Sequence, residues 1–133
     1  MSELTWQIIR KNSCFLRYQR GIQKPFSVEK FNLLGKNSPR FNGLINKKGL
    51  DISAAEDGKG VVVSTKKSGK ANQPAKSVKT QVFKNPMKTT KSIGNLASNL
   101  GLGSQAKLAQ RVASAIIRSQ RPKSKKHVKK TEA

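Results

Sequence analysis

Apolar positions along the chain change period several times, and the changes outline the expected elements. Leu4, Ile8 and, past a turn, Phe15 are spaced to face one core. Ser2 is placed to cap a short helix through about Asn12, with Glu3 at the positive end of its dipole and Arg10-Lys11 at the negative end. Cys14 to Gln19 reads as a strand with Leu16 and Tyr18 on one face and Phe15 and Arg17 on the other. Between Gly21 and Gly35, Phe26, Val28 and Phe31 indicate short extended pieces. Asn37-Ser38-Pro39 marks a turn, Phe41 to Lys47 a strand, and Ile52 continues or follows it after Gly49. The Glu56-Asp57-Gly58-Lys59-Gly60 cluster is a turn leading into Val61-Val62-Val63-Ser64-Thr65, so a β-hairpin is expected. Ser68 to Ala75 is a loop, after which Val78, Thr80 and Val82 alternate with Lys79 and Gln81 as one more half-buried strand.

The period then becomes helical. Ile93, Leu96, Ala97 and Leu100 fall at i, i+3, i+4 and i+7; Gly94 weakens the run and Gly101 ends it. From Ser104 to about Gln120, Ala106, Leu108, Ala109, Val112, Ala113, Ile116 and Ile117 occupy one half of the wheel, while Lys107, Arg111, Ser114 and Arg118 cluster opposite. Pro122 stops this helix. The expected class is α+β: a short amino-terminal helix and an antiparallel hairpin sheet, then two carboxy-terminal helices and a basic tail. Residues 1–120 are read as one domain containing a loop at 69–77, and 121–133 as the tail.

Charge changes this picture. The chain has 133 residues, 28 Lys+Arg against 6 Asp+Glu, and a formal net charge of +22. Such a chain repels itself until a polyanion neutralises it. The surplus is uneven: 17 cations and no acid lie between Lys66 and Thr131, whereas six of the seven aromatics lie in the first 41 residues. The front half is therefore expected to pack as the domain, and the back half to be a cationic extension with some helix. With apolar residues at 35% and aromatics at 5%, the core should be modest.

Catalysis is disfavoured. The only histidine, His127, sits in a lysine run with no acid within five residues before it, so nothing would orient it as a base. Glu56 and Asp57 are explained by their turn. The single cysteine, Cys14, forms no internal disulfide and no Cys-based zinc site, and is read as a small buried hydrophobe. Gly58-Lys59-Gly60 lacks the strand-before, helix-after context of a phosphate loop. Gly101-Leu102-Gly103-Ser104 opens a helix and reads as a linker with a serine cap before it reads as a phosphate site. No cofactor, metal or small-molecule substrate is expected. The longest uncharged stretch, Ser92 to Ala106, is 15 residues rich in Ser, Asn and Gly, too short and polar for a bilayer. The apolar run near Trp6 ends at Arg10-Lys11, which argues against a signal peptide, and Glu3 argues against a mitochondrial presequence.

The basic runs point to nucleic acid. A cation held at a phosphate releases condensed counterions, so about eight contacts would give a log–log salt slope near −6 on a single strand. The candidate contacts are Arg10, Lys11, Arg17, Arg20, Arg40, Lys47, Lys48, Lys66, Lys67, Lys107, Arg111, Arg118, Arg121, Lys123, Lys125 and Lys126. The arginines can grip phosphate in bidentate fashion, whereas lysine acts as a point charge. No helix-turn-helix, zinc-finger or basic-zipper pattern is present, nor an aromatic RNP signature. RNA is favoured, bound by shape and backbone rather than read by sequence.

Several of these segments resemble one family. Trp6, Asn12-Ser13, Phe15-Leu16, Phe31-Asn32-Leu33 and Asn37-Ser38-Pro39-Arg40-Phe41-Asn42-Gly43-Leu44-Ile45 are similar to the eukaryotic large-subunit ribosomal protein family numbered twenty-eight. So are Ala54-Ala55-Glu56-Asp57-Gly58-Lys59-Gly60-Val61-Val62-Val63 and Ala113-Ser114-Ala115-Ile116-Ile117-Arg118-Ser119-Gln120-Arg121-Pro122. The resemblance covers most of residues 2–122. It implies a small α+β domain with carboxy-terminal helices, no catalytic activity, and a structural place in the large subunit of the cytosolic ribosome, reached through the nucleolus. The implied partners are large-subunit ribosomal RNA and neighbouring ribosomal proteins, with no membrane and no homo-oligomer. Arg40 and Arg118 lie inside matching motifs and inherit an RNA-contact role from them. One departure is the uncharged stretch Gly94 to Ala106, where family members carry more Lys and Arg. A related ribosome-assembly factor carries a cysteine cluster and an acidic extension; this chain has neither, yet binding precursor RNA remains the second reading. A third, from another class, is a cationic membrane-active or chromatin protein.

Overall fold

The computed structural model describes residues 2–67, 69–70 and 72–123. In chain order these form α1 (Ser2–Ile9), β1 (Leu16–Arg17), β2 (Phe26–Ser27), β3 (Leu50–Ala54), β4 (Val61–Lys66), β5 (Val78–Phe83), α2 (Pro86–Asn99), a 3-10 turn (Gly103–Gln105) and α3 (Ala106–Gln120). The expected α+β class is the one that forms. β1 pairs with β2, and β3, β4 and β5 make an antiparallel sheet with β4 in the middle.

Valines place the core. In the register Leu50↔Thr65, Ile52↔Val63 and Val61↔Phe83, one face of the sheet carries Leu50, Ile52, Val61 and Val63 inward. Ile93 and Ala97 of α2 and Ala109 and Ala113 of α3 complete the buried cluster. Phe83, Leu96, Val112, Ile116 and Ile117 pack around it. Alanines on α3 and Gly94 on α2 let the helices approach closely; a Cβ at Gly94 would meet the side-chain amide of Gln110. That amide donates to the Thr90 carbonyl at 3.3 Å, joining α3 to α2.

Both carboxy-terminal helices follow the apolar periodicity, and their ends have identifiable causes. Pro86 occupies the first turn of α2, where its missing N–H costs nothing, and Asn85 caps it by accepting from Met87 N. At the other end Gly101, with φ +77°, closes a Schellman motif: its N–H donates to Ser98 O and that of Leu102 to Ala97 O. Two amides of the Gly101–Ser104 segment are thus already used. Ser104 lies inside the 3-10 turn, and no side-chain hydrogen bond caps either this turn or α3.

The expected hairpin is β3–β4. Its turn is shaped by Gly58 (φ +74°) and Gly60 (φ +95°). Gly60 is also pinned from afar: Gln120 at the end of α3 accepts from its N–H at 2.9 Å and donates to its carbonyl at 2.8 Å. A β-carbon at Gly60 would stand 2.7 Å from the Phe83 carbonyl oxygen, which leaves no room for one.

Five expectations are corrected. The core is shared between the halves, with Leu50, Ile52, Val61 and Val63 before Lys66 and Ile93, Ala97, Ala109 and Ala113 after it, and it is not built on the front aromatics. None of the six aromatics in the first 41 residues is buried; Trp6, Phe15, Phe31 and Phe41 are half-buried, and Tyr18 is 65% exposed. The reason is that Val, Ile, Leu and Ala at strand and helix periods bury as whole faces, whereas Phe15, Phe31 and Phe41 sit in turns, Phe26 in a two-residue strand and Trp6 in the eight-residue α1. Second, α1 ends at Ile9 and leaves Leu4 and Ile8 60% and 63% exposed, while Trp6 and Ile9 turn inward. Third, the strand at Cys14–Gln19 is only two residues long, and Cys14 is exposed. Fourth, Phe41 to Lys47 is a chain of turns. Asn42 Oδ1 accepts from Leu44 N and Ile45 N, and Asn46 Nδ2 donates to the carbonyls of Pro39, Arg40 and Asn42, so side chains take the bonds a ladder would use. Fifth, β5 forms but with its faces reversed. Phe83 joins the core, and Val82, paired with Val62 on the far face, is 53% exposed.

Candidate nucleic-acid interface

The fold gathers two groups of the predicted cations. On α3, the wheel places Ala109 and Ala113 in the core and leaves Lys107, Arg111 and Arg118 exposed on the opposite stripe. From Lys107 to Arg118 this stripe runs about 16 Å along the helix axis. With Arg121 just past the helix end, these four cations line an open groove of about 780 Å³ whose other walls include Pro86, Thr90, Gln110 and Ile117. No carboxylate lines it. Arg118 stands in the last turn of α3, where the negative end of the helix dipole favours a cation.

The groove continues into a smaller cleft of about 270 Å³ that shares Pro86, Ile117 and Arg121 and adds Lys59 and Lys84. Neither lysine is among the sequence candidates. Lys59 lies in the Glu56–Gly60 turn cluster, and Lys84 follows the last residue of β5. The signal that could have found them is the pairing Val61↔Phe83, which sets the hairpin turn beside the end of β5.

The second group is built by loops. Lys47, Lys48, Lys66 and Lys67 line another cleft, of about 630 Å³, together with Asn99, Leu100 and Leu102. Lys66 differs from its neighbours. Its Nζ donates to Gly43 O, and to Asn46 O at 2.8 Å, and lies 5.2 Å from the centre of the Phe31 ring. Burial pushes its pKa below 10.5, and the attraction of buried Glu29 opposes that shift without cancelling it. The Lys66 ammonium is therefore committed to the fold, whereas Lys47, Lys48 and Lys67 are exposed. Phe31 itself has φ +68°, a strained backbone for a bulky residue, and Gly43 and Gly49 are the glycines packed against it.

The remaining candidates are not drawn into either group. Arg10 and Lys11 are exposed just past α1, where the Arg10 carbonyl accepts from Asn37 Nδ2 at 2.7 Å. Arg17 spends Nη1 on the carbonyls of Cys14 and Leu16. Arg20 is exposed in a turn, and the Arg40 guanidinium lies 5.4 Å from the Phe41 ring centre. Lys123 is exposed at the end of the described chain. Lys125, Lys126 and the rest of the lysine run, with His127, lie outside the described residues, as does the side chain of Ser2. Among the described residues no lysine or arginine closes an ion pair with a carboxylate, and no cluster of metal-ligating side chains forms. No described helix is long and apolar enough to cross a membrane.

Comparison with known proteins bears on the same segments. The model of the Ribosomal L28e protein family matches residues 4–119. The chain belongs to the ribosomal L28e family. It is 53% identical over 131 residues to the large ribosomal subunit protein eL28 of Caenorhabditis elegans, covering 98% of this chain and 97% of that one. It is 40% identical over 129 residues to eL28 of Schizosaccharomyces pombe, covering 92% and 94%. With eL28 of Dictyostelium discoideum it shares 42% identity over 98 residues, 72% and 71% of the two chains. The family resemblance read from the motifs at 37–45, 54–63 and 113–122 is thereby established, and the L28e match spans all of the core and the whole α3 stripe from Lys107 to Arg118.

Proposed function

We infer that this L28e-family chain is a structural, non-catalytic constituent of the large subunit of the cytosolic ribosome, holding ribosomal RNA through backbone phosphates. The single observation that carries the RNA contact is the groove along α3: four cations, no carboxylate, and an apolar back anchored in the core. Such a stripe suits a phosphate backbone, because A-form RNA hides its bases in a deep, narrow groove and offers phosphates and 2′-hydroxyls instead. The Gln120–Gly60 clamp supports the same reading, since it fixes the helix end against the hairpin and sets the spacing between Arg118, Arg121 and Lys59. The relatives' names supply the subunit; neighbouring ribosomal proteins are the remaining partners, with nucleolar assembly before cytosolic residence.

The test is a salt titration of RNA binding. Replacing Arg111 and Arg118 with Gln should weaken binding and flatten the log–log slope by roughly one to two. An unchanged slope removes α3 from the contact surface. In cells the tagged chain should co-sediment with translating ribosomes; confinement to precursor particles contradicts residence in the mature subunit.

A further inference from the structure

The cleft between the 47–49 loop and the end of α2 differs in chemistry from the α3 groove. Its wall is apolar, formed by Leu100 and Leu102, and these are held in place by the Schellman motif at Gly101. Its rim is cationic: Lys47, Lys48 and Lys67 are exposed, and no carboxylate lines the cleft. Lys48 reaches over the carboxy-terminal end of α2, its Nζ only 2.9 Å from where a Cβ on Gly101 would stand. Asn99, exposed at the lip, offers an amide that both donates and accepts. At about 630 Å³ the cleft falls within the roughly 300–1,000 Å³ of sites that hold compact ligands.

The loop opposite the leucines is rigidly based. Gly49 is buried against the Phe31 ring, and the Lys66 ammonium ties the chain at Gly43 and Asn46. The residues from Gly94 to Ala106 carry no charge of their own, so every cation at this cleft comes from another part of the chain. A continuous duplex backbone needs only a charged stripe, as on α3. An apolar wall, an amide edge and a lysine rim together fit a different ligand: one unstacked base with its own phosphate.

We propose that this cleft receives a single extruded nucleotide of the bound RNA, its base against Leu100 and Leu102 with an edge at Asn99, and its phosphate at Lys47, Lys48 and Lys67. This rests on the RNA-binding reading above. Single-stranded bulges and loops are where bases become free to be splayed out and bound. The cleft would thus fix which feature of a helix the protein sits beside, while α3 supplies affinity that ignores sequence.

The experiment compares the full chain on two synthetic RNAs, a perfect duplex and the same duplex with one bulged 2-aminopurine. The bulged RNA should bind about tenfold more tightly, and the 2-aminopurine should brighten as it leaves the stack. Asn99→Ala should erase most of that preference while leaving the perfect duplex bound, and Lys47→Gln with Lys48→Gln should erase it while weakening binding to both RNAs through the loss of two cations. Equal affinity of the native chain for both RNAs overturns the proposal and leaves the phosphate-binding role of α3 standing. So does a preference that survives both variants, because the base is then held elsewhere. Failure to bind either RNA defeats the RNA-binding reading itself, and this proposal with it.

Discussion

Lys66 and Lys67 are adjacent, chemically identical and oppositely employed. The Lys66 ammonium faces two backbone carbonyls and an aromatic ring, and Lys67 faces water at the edge of a cleft. As charges in a sequence they carry the same weight; only the turns of residues 41–47, which bring the Gly43 and Asn46 carbonyls together, separate them. The pKa of Lys66 gives a test. Its folded value lies below 10.5, so between that value and 10.5 the unfolded chain binds more protons than the folded one. Stability contributed through Lys66 must then rise with pH across that window. Urea denaturation at a series of alkaline pH values should show the native chain gaining on Lys66→Gln as pH climbs toward 10.5. A constant difference would mean that the ammonium is as well solvated in the fold as outside it.

Among the elements, what was legible from sequence was whatever bonds locally or repeats with a period. α3 could be read because seven apolar residues mark one half of the wheel, and the hairpin because Asp57-Gly58 precedes a run of valines. The face of β5 could not, because Val82 looks more apolar than Gln81 and only the register with β4 turns Phe83 inward. The 41–47 turns were hidden for a related reason: Phe41, Leu44 and Ile45 suit a strand, and the deciding bonds are made by Asn42 and Asn46. Gly94 is the element-scale case with a measurable outcome. In isolation Gly→Ala in a helix gains about 1 kcal/mol. Here the new methyl would displace the Gln110 amide from Thr90 O, a bond worth about 1 kcal/mol. The two effects offset each other, so Gly94→Ala should leave the stability within about 1 kcal/mol of native. Gly94→Leu adds bulk that a side-chain swing cannot accommodate, and should cost about 2 kcal/mol or more by prising α2 from α3. Thermal unfolding of the two variants checks both; a large gain for Gly94→Ala would mean that Gln110 holds nothing.

For the whole molecule, the charge asymmetry of the sequence was a poor guide to packing. Cations from Lys66 onward made the back half look like an extension, yet α2 and α3 supply half of the buried cluster against β3 and β4, with their charges on the outward faces of the same helices. That arrangement gives salt two opposite effects. With a net charge of +22 and no ion pairs among the described residues, the free chain is destabilised by repulsion among its own cations. Added salt screens this, so the free protein should become more stable, by about 1 kcal/mol or a few degrees in Tm, as the Debye length falls from about 30 Å at 0.01 M to about 3 Å at 1 M. In complex with RNA the sign reverses. RNA that binds only the folded state raises Tm by mass action, and salt weakens that binding by restoring the counterion atmosphere. Tm measured against salt should therefore rise for the protein alone, fall for the complex, and converge where binding is lost. Parallel curves would show that RNA and protein meet without neutralising one another, and the stripe on α3 would then need another purpose.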